Sequence, residues 1–268
     1  RYEALIASLE EEGFTDSTDV EALKAEINRL EDRVSKLREA AKEEAGQSAR
    51  DFTGDGNRQY LTGLNLGGNR IVILIDASAS MLADSIVNVI RLRNMDPELQ
   101  RSADKWQRAL NTVDWLTSQL PINSQYQIIA FNTEAQPILS GTAGKWLEVA
   151  DAPQLKAATE ALRDRLPSGG TNLHGAFDAV GTLPGGPDNI FLITDGLPTQ
   201  SYEPPRRTTI SGRDRLNLFR KAVQRLPSGV PVNIILAPME GDPMAASEFW
   251  QLAQVSGGSF MSPSRDWP

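Results

Sequence analysis

Five oxygen-bearing residues, drawn from three distant segments, carry the chemistry this chain advertises. In IVILIDASASM (71–81) an aliphatic, β-branched run stops at Asp76 and is followed by Ser78 and Ser80 at alternate positions. Such a run reads as a buried parallel strand that feeds an oxygen-rich loop. SGGTNL places Thr171 directly after a glycine pair, and NIFLITDGLPT ends a second aliphatic strand in Asp195 and Gly196. Carboxylates and hydroxyls are hard donors, suited to Mg²⁺ or Mn²⁺ and poorly suited to soft metals. All three segments would bring an oxygen to one rim of an open α/β sheet, where ligands bind outside the carboxyl ends of strands.

Taken singly, each motif has a plainer reading. DASAS is also an Asp N-cap with small residues in a first helical turn, a Thr after Gly-Gly is also a helix N-cap, and ITDG is an ordinary strand-to-turn ending. Jointly, the Asp-x-Ser-x-Ser loop, the distant Thr and the distant Asp resemble the metal-ion-dependent adhesion site of the von Willebrand factor A (VWA) family. The likeness spans roughly residues 70–262. It implies that Asp76, Ser78, Ser80, Thr171 and Asp195 hold Mg²⁺ or Mn²⁺, the hydroxyls directly and the aspartates partly through water. It also implies that the last coordination position is left to an Asp or Glu of a protein partner.

Other chemistries find less support. With no cysteine there is no thiol catalysis, thiolate metal site or disulfide. A serine hydrolase built on Ser78 or Ser80 would need His174, the only histidine, as its base, yet neither serine sits in a G-x-S-x-G elbow. No GxxxxGK[ST] loop or dinucleotide fingerprint occurs, and two aspartates are too few acids for a two-metal phosphatase. A net charge of −8 without a basic, aromatic-studded cluster speaks against nucleic acid. No apolar run approaches the roughly 18–20 residues of a membrane span.

The elements that must position the five residues alternate in type. Strands are predicted near 71–76, 126–131, 189–194 and 231–236, with shorter ones near 136–139 and 259–261. Helices are predicted near 97–120, 152–165, 172–180, 213–225 and 244–255, with glycines and prolines between them. The expected fold is α/β, a Rossmann-like doubly wound three-layer sandwich over 70–268. Two segments depart from a compact version of it. Leu82 to Ser102 intervenes before the first long helix, with Ile86, Val87 and Ile90 at helical spacing and Asp96-Pro97 as a fresh N-cap and N1. It would either dress the binding rim with apolar groups or pack as an extra helix on the flank. The loop 199–215 carries Arg206 and Arg207, which would pair with an acidic partner or stand solvated.

Ahead of this domain, residues 1–50 are rich in Glu, Lys, Arg and Ala. A first helix is expected from Tyr2 to Glu12. A second opens on a capping box, Thr18 and Glu21, and carries Val20, Leu23, Ile27, Leu30, Val34, Leu37 and Ala41 as a three-heptad seam. Parallel self-pairing would oppose Glu26 to Glu31 and Arg33 to Arg38; the first helix folded back as a hairpin is too short to cover the C-terminal half of the seam, so a further helix is expected to supply the rest of a stalk. Residues 51–69 are a turn-rich connector, with TGLNLGG along the sheet edge. The expected whole is a metal-dependent protein-binding module on a coiled-coil stalk; the alternative is a scaffold acting through the coiled coil, with a merely stabilising metal. The chain starts with Arg1, so an upstream anchor is expected, and a bacterial periplasmic or extracellular, membrane-tethered setting is preferred to a cytoplasmic one.

Overall fold

The computed structural model describes residues 66–205 and 209–264, together with Leu64, Trp267 and five residues of the N-terminal region. The chain divides between Gln47 and Ser48 into two units. In the first, Ala25, Arg29, Asp32, Arg33 and Lys36 are helical and exposed. The heptad seam from Val20 to Ala41, the helix expected at 2–12, most of the connector, and Arg206 and Arg207 lie outside the described residues.

In the second unit the chain runs β1 (Arg70–Asp76), a 3₁₀ turn (Ala79–Leu82), α1 (Ile86–Leu92), α2 (Pro97–Arg101), α3 (Asp104–Gln119), β2 (Gln125–Phe131), β3 (Ala135–Pro137) and β4 (Leu147–Glu148). It continues through α4 (Ala152–Arg163), α5 (Leu173–Gly181), β5 (Asn189–Thr194), α6 (Gly212–Val223), β6 (Val232–Leu236), α7 (Ala245–Ser256) and β7 (Phe260–Met261). The strands form one sheet in the order β3-β2-β1-β5-β6-β7, with β4 also on β2. Strands β1, β2, β5, β6 and β7 pair in parallel, and only β3 and β4 run antiparallel.

Central β1 is apolar on both faces because both are covered, as parallel strands require. Ile71, Ile73 and Ile75 pack with α3 and α4, whereas Val72 and Leu74 pack with α5, α6 and α7. Each such side chain, fully removed from water, contributes about 1.5–3 kcal/mol. The doubly wound three-layer sandwich expected from the alternating pattern is therefore the observed architecture.

Local differences have local causes. The helix expected over 97–120 is two helices, because Ala103 is extended (ψ 127) and Gln107 turns its amide back onto the Arg101 carbonyl at 2.6 Å. The break lets α3 start afresh with Lys105 and Trp106 turned inward. The two-residue β4 gave no sequence signal. The segment 66–69 lies at the start of β1 and β5, in mid-sheet rather than along an edge. Asn189 donates to the Gly67 carbonyl at 2.6 Å, and the Asp188 carboxylate accepts from the Asn69 amide at 2.9 Å.

Candidate metal centre

Chain order reverses at β1: the chain leaves it for β2 on one side and later returns to β5 on the other. The crevice at the carboxyl ends of β1 and β5 is thus the switch point where a doubly wound sheet binds ligands. Register sets Ile75 level with Ile193, which brings Asp76 beside Thr194 and Asp195 just beyond.

Four of the five expected residues meet there in one hydrogen-bonded chain. The Ser78 amide donates to Asp76 Oδ1 at 2.9 Å, the Ser78 and Ser80 hydroxyls are 2.9 Å apart, and the Ser80 hydroxyl donates to Asp195 Oδ1 at 3.0 Å. Asp76, Ser78 and Asp195 are buried and Ser80 half-buried. Thr171 arrives on a separate loop that is laced to the first. The Ala79 amide donates to the Gly169 carbonyl at 3.1 Å and the Ser168 amide to the Ala77 carbonyl at 2.9 Å. The main chain of Thr171 is held by Thr199, whose hydroxyl accepts the Thr171 amide at 2.9 Å.

Gly169 sits at φ +73, a left-handed conformation that lets the Thr171 loop turn toward the Asp76 loop. Next to Asp195, a Cβ on Gly196 would lie 2.7 Å from an Asp242 carboxylate oxygen, so glycine makes room for the Arg215–Asp242 ion pair. That pair clamps the turn: Asp242 accepts the Leu197 amide at 2.6 Å and Arg215 donates to the Leu197 carbonyl at 2.5 Å.

Sequence reasoning missed several of these positioning groups, Lys105 above all. Its ammonium, 1% exposed, lies 2.8 Å from Asp195 Oδ2 and donates to the carbonyls of Ser80 and Ala83, each at 3.2 Å. A signal existed. Lys105 shares a helical face with Ala109, Thr112 and Leu116, all buried, so its spacing marks it as an inward cation. Thr194, whose hydroxyl donates to Asp76 Oδ2 at 2.8 Å, has no comparable signal in a uniformly buried strand.

Burial pushes the Asp76 carboxyl up from 3.8 to about 7, and the nearby negative charge of Asp195 adds to the rise; donors from Ser78 and Thr194 pull against it. Two buried carboxylates thus share a site short of positive charge, even with Lys105 present. Among the described residues no cluster of three or more His, Cys, Asp or Glu occurs. A metal here would depend instead on two carboxylates and neighbouring hydroxyls, a hard-oxygen set of the kind that fits Mg²⁺ or Mn²⁺.

His174 stands elsewhere. It is 8% exposed, its Nδ1 is buried without a hydrogen-bond partner, and the charges acting on it are Asp178 on α5, Lys221 on α6 and Arg225 just after α6. Burial and those cations hold its pKa below the ordinary value. The hydroxyls of Ser78 and Ser80 are engaged with each other and with Asp195.

The segment after the site forms α1 and α2. Val89 packs inward, while Ile86, Val87, Ile90 and Leu99 are exposed. Between α1, α2 and α3 runs an open groove of about 970 Å³.

Residues 71–197 match the family described as the von Willebrand factor type A domain. No curated protein matches the chain. Among solved structures, a von Willebrand factor type A protein from Catenulispora acidiphila is 20% identical, with a TM-score of 0.49 over 74% of this chain and 39% of that one. An aerotolerance-related membrane protein from Bacteroides fragilis is 16% identical, with a TM-score of 0.43 over 74% and 93%. The PilB minor pilin of Streptococcus sanguinis is 16% identical, with a TM-score of 0.45 over 74% and 58%. This chain therefore spans only 39% of the length of the Catenulispora protein. The fold over the described sheet is the Rossmann-like α/β fold of the type A domain.

Proposed function

We propose that this chain is a metal-dependent protein-binding module. The observation that carries the reading is the hydrogen-bonded chain of Asp76, Ser78, Ser80 and Asp195 at the switch point, with the Thr171 loop laced beside it. Type A domains are in general protein-interaction modules rather than enzymes, and the buried His174 on the α5–α6 side fits a non-catalytic site. When bound, Mg²⁺ or Mn²⁺ would supply an open position with a preference for an anionic oxygen, such as a partner's Asp or Glu. Ser78, Ser80 and Thr171 would present neutral oxygens to the ion. Asp76 and Asp195 would balance its charge, and Thr194, Lys105 and the Arg215–Asp242 clamp would hold those carboxylates in place.

No helix among the described residues is long and apolar enough to cross a membrane. A periplasmic or extracellular, membrane-tethered setting is part of this proposal, as is a stalk built on the heptad seam from Val20 to Ala41. The seam also supports the second reading, a scaffold whose partners bind through Leu23, Ile27, Leu30 and Val34.

Two measurements test the proposal. Calorimetric titration of Mg²⁺ and Mn²⁺ should give one site per chain, lost in Asp76→Ala; equal affinity in the two proteins removes the site assignment. Affinity capture with the full-length protein should then yield a partner that disappears both with EDTA and with Asp195→Ala. Partners that ignore EDTA and vanish only when the seam is broken favour the scaffold.

A further inference from the structure

The buried amine of Lys105 has a use that the ligand set leaves unexplained. All three of its protons have acceptors: Asp195 Oδ2 at 2.8 Å and the carbonyls of Ser80 and Ala83 at 3.2 Å. It is deeply buried, with side-chain exposures of 1% for Lys105 and 3% for Asp195. A surface ion pair would be worth little, whereas charges at this depth interact through a poorly screening medium and their sum governs what else can enter.

The charge count sets the consequence. Asp76 and Asp195 together carry two negative charges when ionised, and Lys105 reduces the cluster to one. A site of net −1 that takes up a divalent cation becomes +1; without the lysine it would go from −2 to neutral. A cluster left at +1 attracts a further carboxylate, and a neutral one has far less reason to.

We propose that Lys105 is a built-in counter-cation that weakens the site's hold on its metal and in exchange strengthens its hold on the acidic side chain of a partner. This rests on the metal-site reading given above and adds to it a residue that sets specificity without being a ligand. The amine acts through Asp195. By occupying one carboxylate oxygen it leaves Oδ1, the oxygen facing Ser80, for the ion. The same contacts tie the 3₁₀ turn that carries Ser80 to the carboxylate on β5's end, so the amine also fixes the spacing between the two loops.

The test compares the full-length protein with Lys105→Gln, Lys105→Met and Lys105→Arg. Mn²⁺ affinity is followed by water-proton relaxation, with acetate as the carboxylate probe that displaces metal-bound water, and folding is checked by near-ultraviolet circular dichroism. Removal of a unit charge next to a ligand oxygen should tighten Mn²⁺ by about tenfold or more in the Gln and Met variants. Acetate should bind several-fold more weakly to their Mn²⁺ complexes, and Lys105→Arg, which keeps the charge, should follow wild type. A purely structural lysine would give the opposite sign: looser loops and weaker Mn²⁺ in every folded variant. Wild type that binds Mn²⁺, with folded Gln or Met variants that bind it equally or less well, overturns the counter-cation role alone. Failure of Mn²⁺ to bind wild type and the neutral variants alike overturns the metal-site reading, and this inference with it. Metal uptake by the neutral variants alone supports the role in its strongest form. If the Gln and Met proteins do not fold, Lys105→Arg decides: a folded Arg variant with wild-type Mn²⁺ and acetate affinities supports the role of the charge, and one that folds and binds Mn²⁺ but departs from wild type in both affinities overturns it.

Discussion

At Asp76 the amide of Ser78 and the hydroxyl of Thr194 replace the water an exposed carboxylate would have, and they replace it incompletely. The carboxyl is displaced upward to about 7. A folded-state value above the unfolded one means that the native chain holds its proton more tightly, so this group favours folding below about pH 4 and the contribution is lost as pH rises through about 7. In EDTA, melting temperature should therefore fall between about pH 4 and about pH 7, and Asp76→Asn should flatten that slope. A wild-type slope unchanged by the substitution removes Asp76 as its source. Mg²⁺ competes with the same proton, so its affinity should climb over the same interval. Thr194→Val, which withdraws a buried donor from a carboxylate, should cost about 1–3 kcal/mol in urea unfolding at neutral pH and also weaken Mg²⁺. At this scale the sequence was legible wherever a residue type is rare in its context: an Asp ending an aliphatic strand, or a Ser-x-Ser after it. Thr194 was not, because a threonine in a uniformly buried strand is commonplace until its neighbours are known; Lys105 was legible only through its place on the buried face of its helix, a weaker signal than residue type.

Elements were legible in proportion to their periodicity. Strands β1, β2, β5 and β6 are aliphatic runs buried on both faces, and each lies within a residue or two of its expected place. The division at Ala103 was half legible: Leu82 to Ser102 stood apart from the first long helix, yet Asp96-Pro97 and the later DKWQRAL were also joined in one helix over 97–120, and the packing of Lys105 and Trp106 shows why the chain must restart. The loop bearing Thr171 depends on Gly169 at φ +73, where a Cβ would also fall 2.9 Å from Thr133 Cγ2. Gly169→Ala should therefore destabilise the domain by about 1–2 kcal/mol through backbone strain, and it should weaken Mg²⁺ more than a distant mutation of equal cost. Equal stability loss with unchanged metal affinity would show that the Thr171 loop is dispensable to the site.

For the whole molecule, the two units divided at Gln47–Ser48 allow the metal site and the heptad seam to be assigned separate tasks. A ligand that binds only the native state stabilises it by about 2.7 kcal/mol at a hundred times its dissociation constant. For a domain of this size that is about 5–10 °C in melting temperature. Mg²⁺ at that excess should therefore raise the unfolding temperature of the second unit, and EDTA should reverse it. Replacing Leu23, Ile27, Leu30 and Val34 with serine should leave that increment intact, because the proposed metal ligands all lie in the second unit, while abolishing any association carried by the seam in sedimentation velocity. The opposite pattern is informative too. A seam variant that loses its Mg²⁺ increment would mean that the first unit supports the metal centre, and the chain would then have to be understood as one coupled receptor rather than a binding head on a separable stalk.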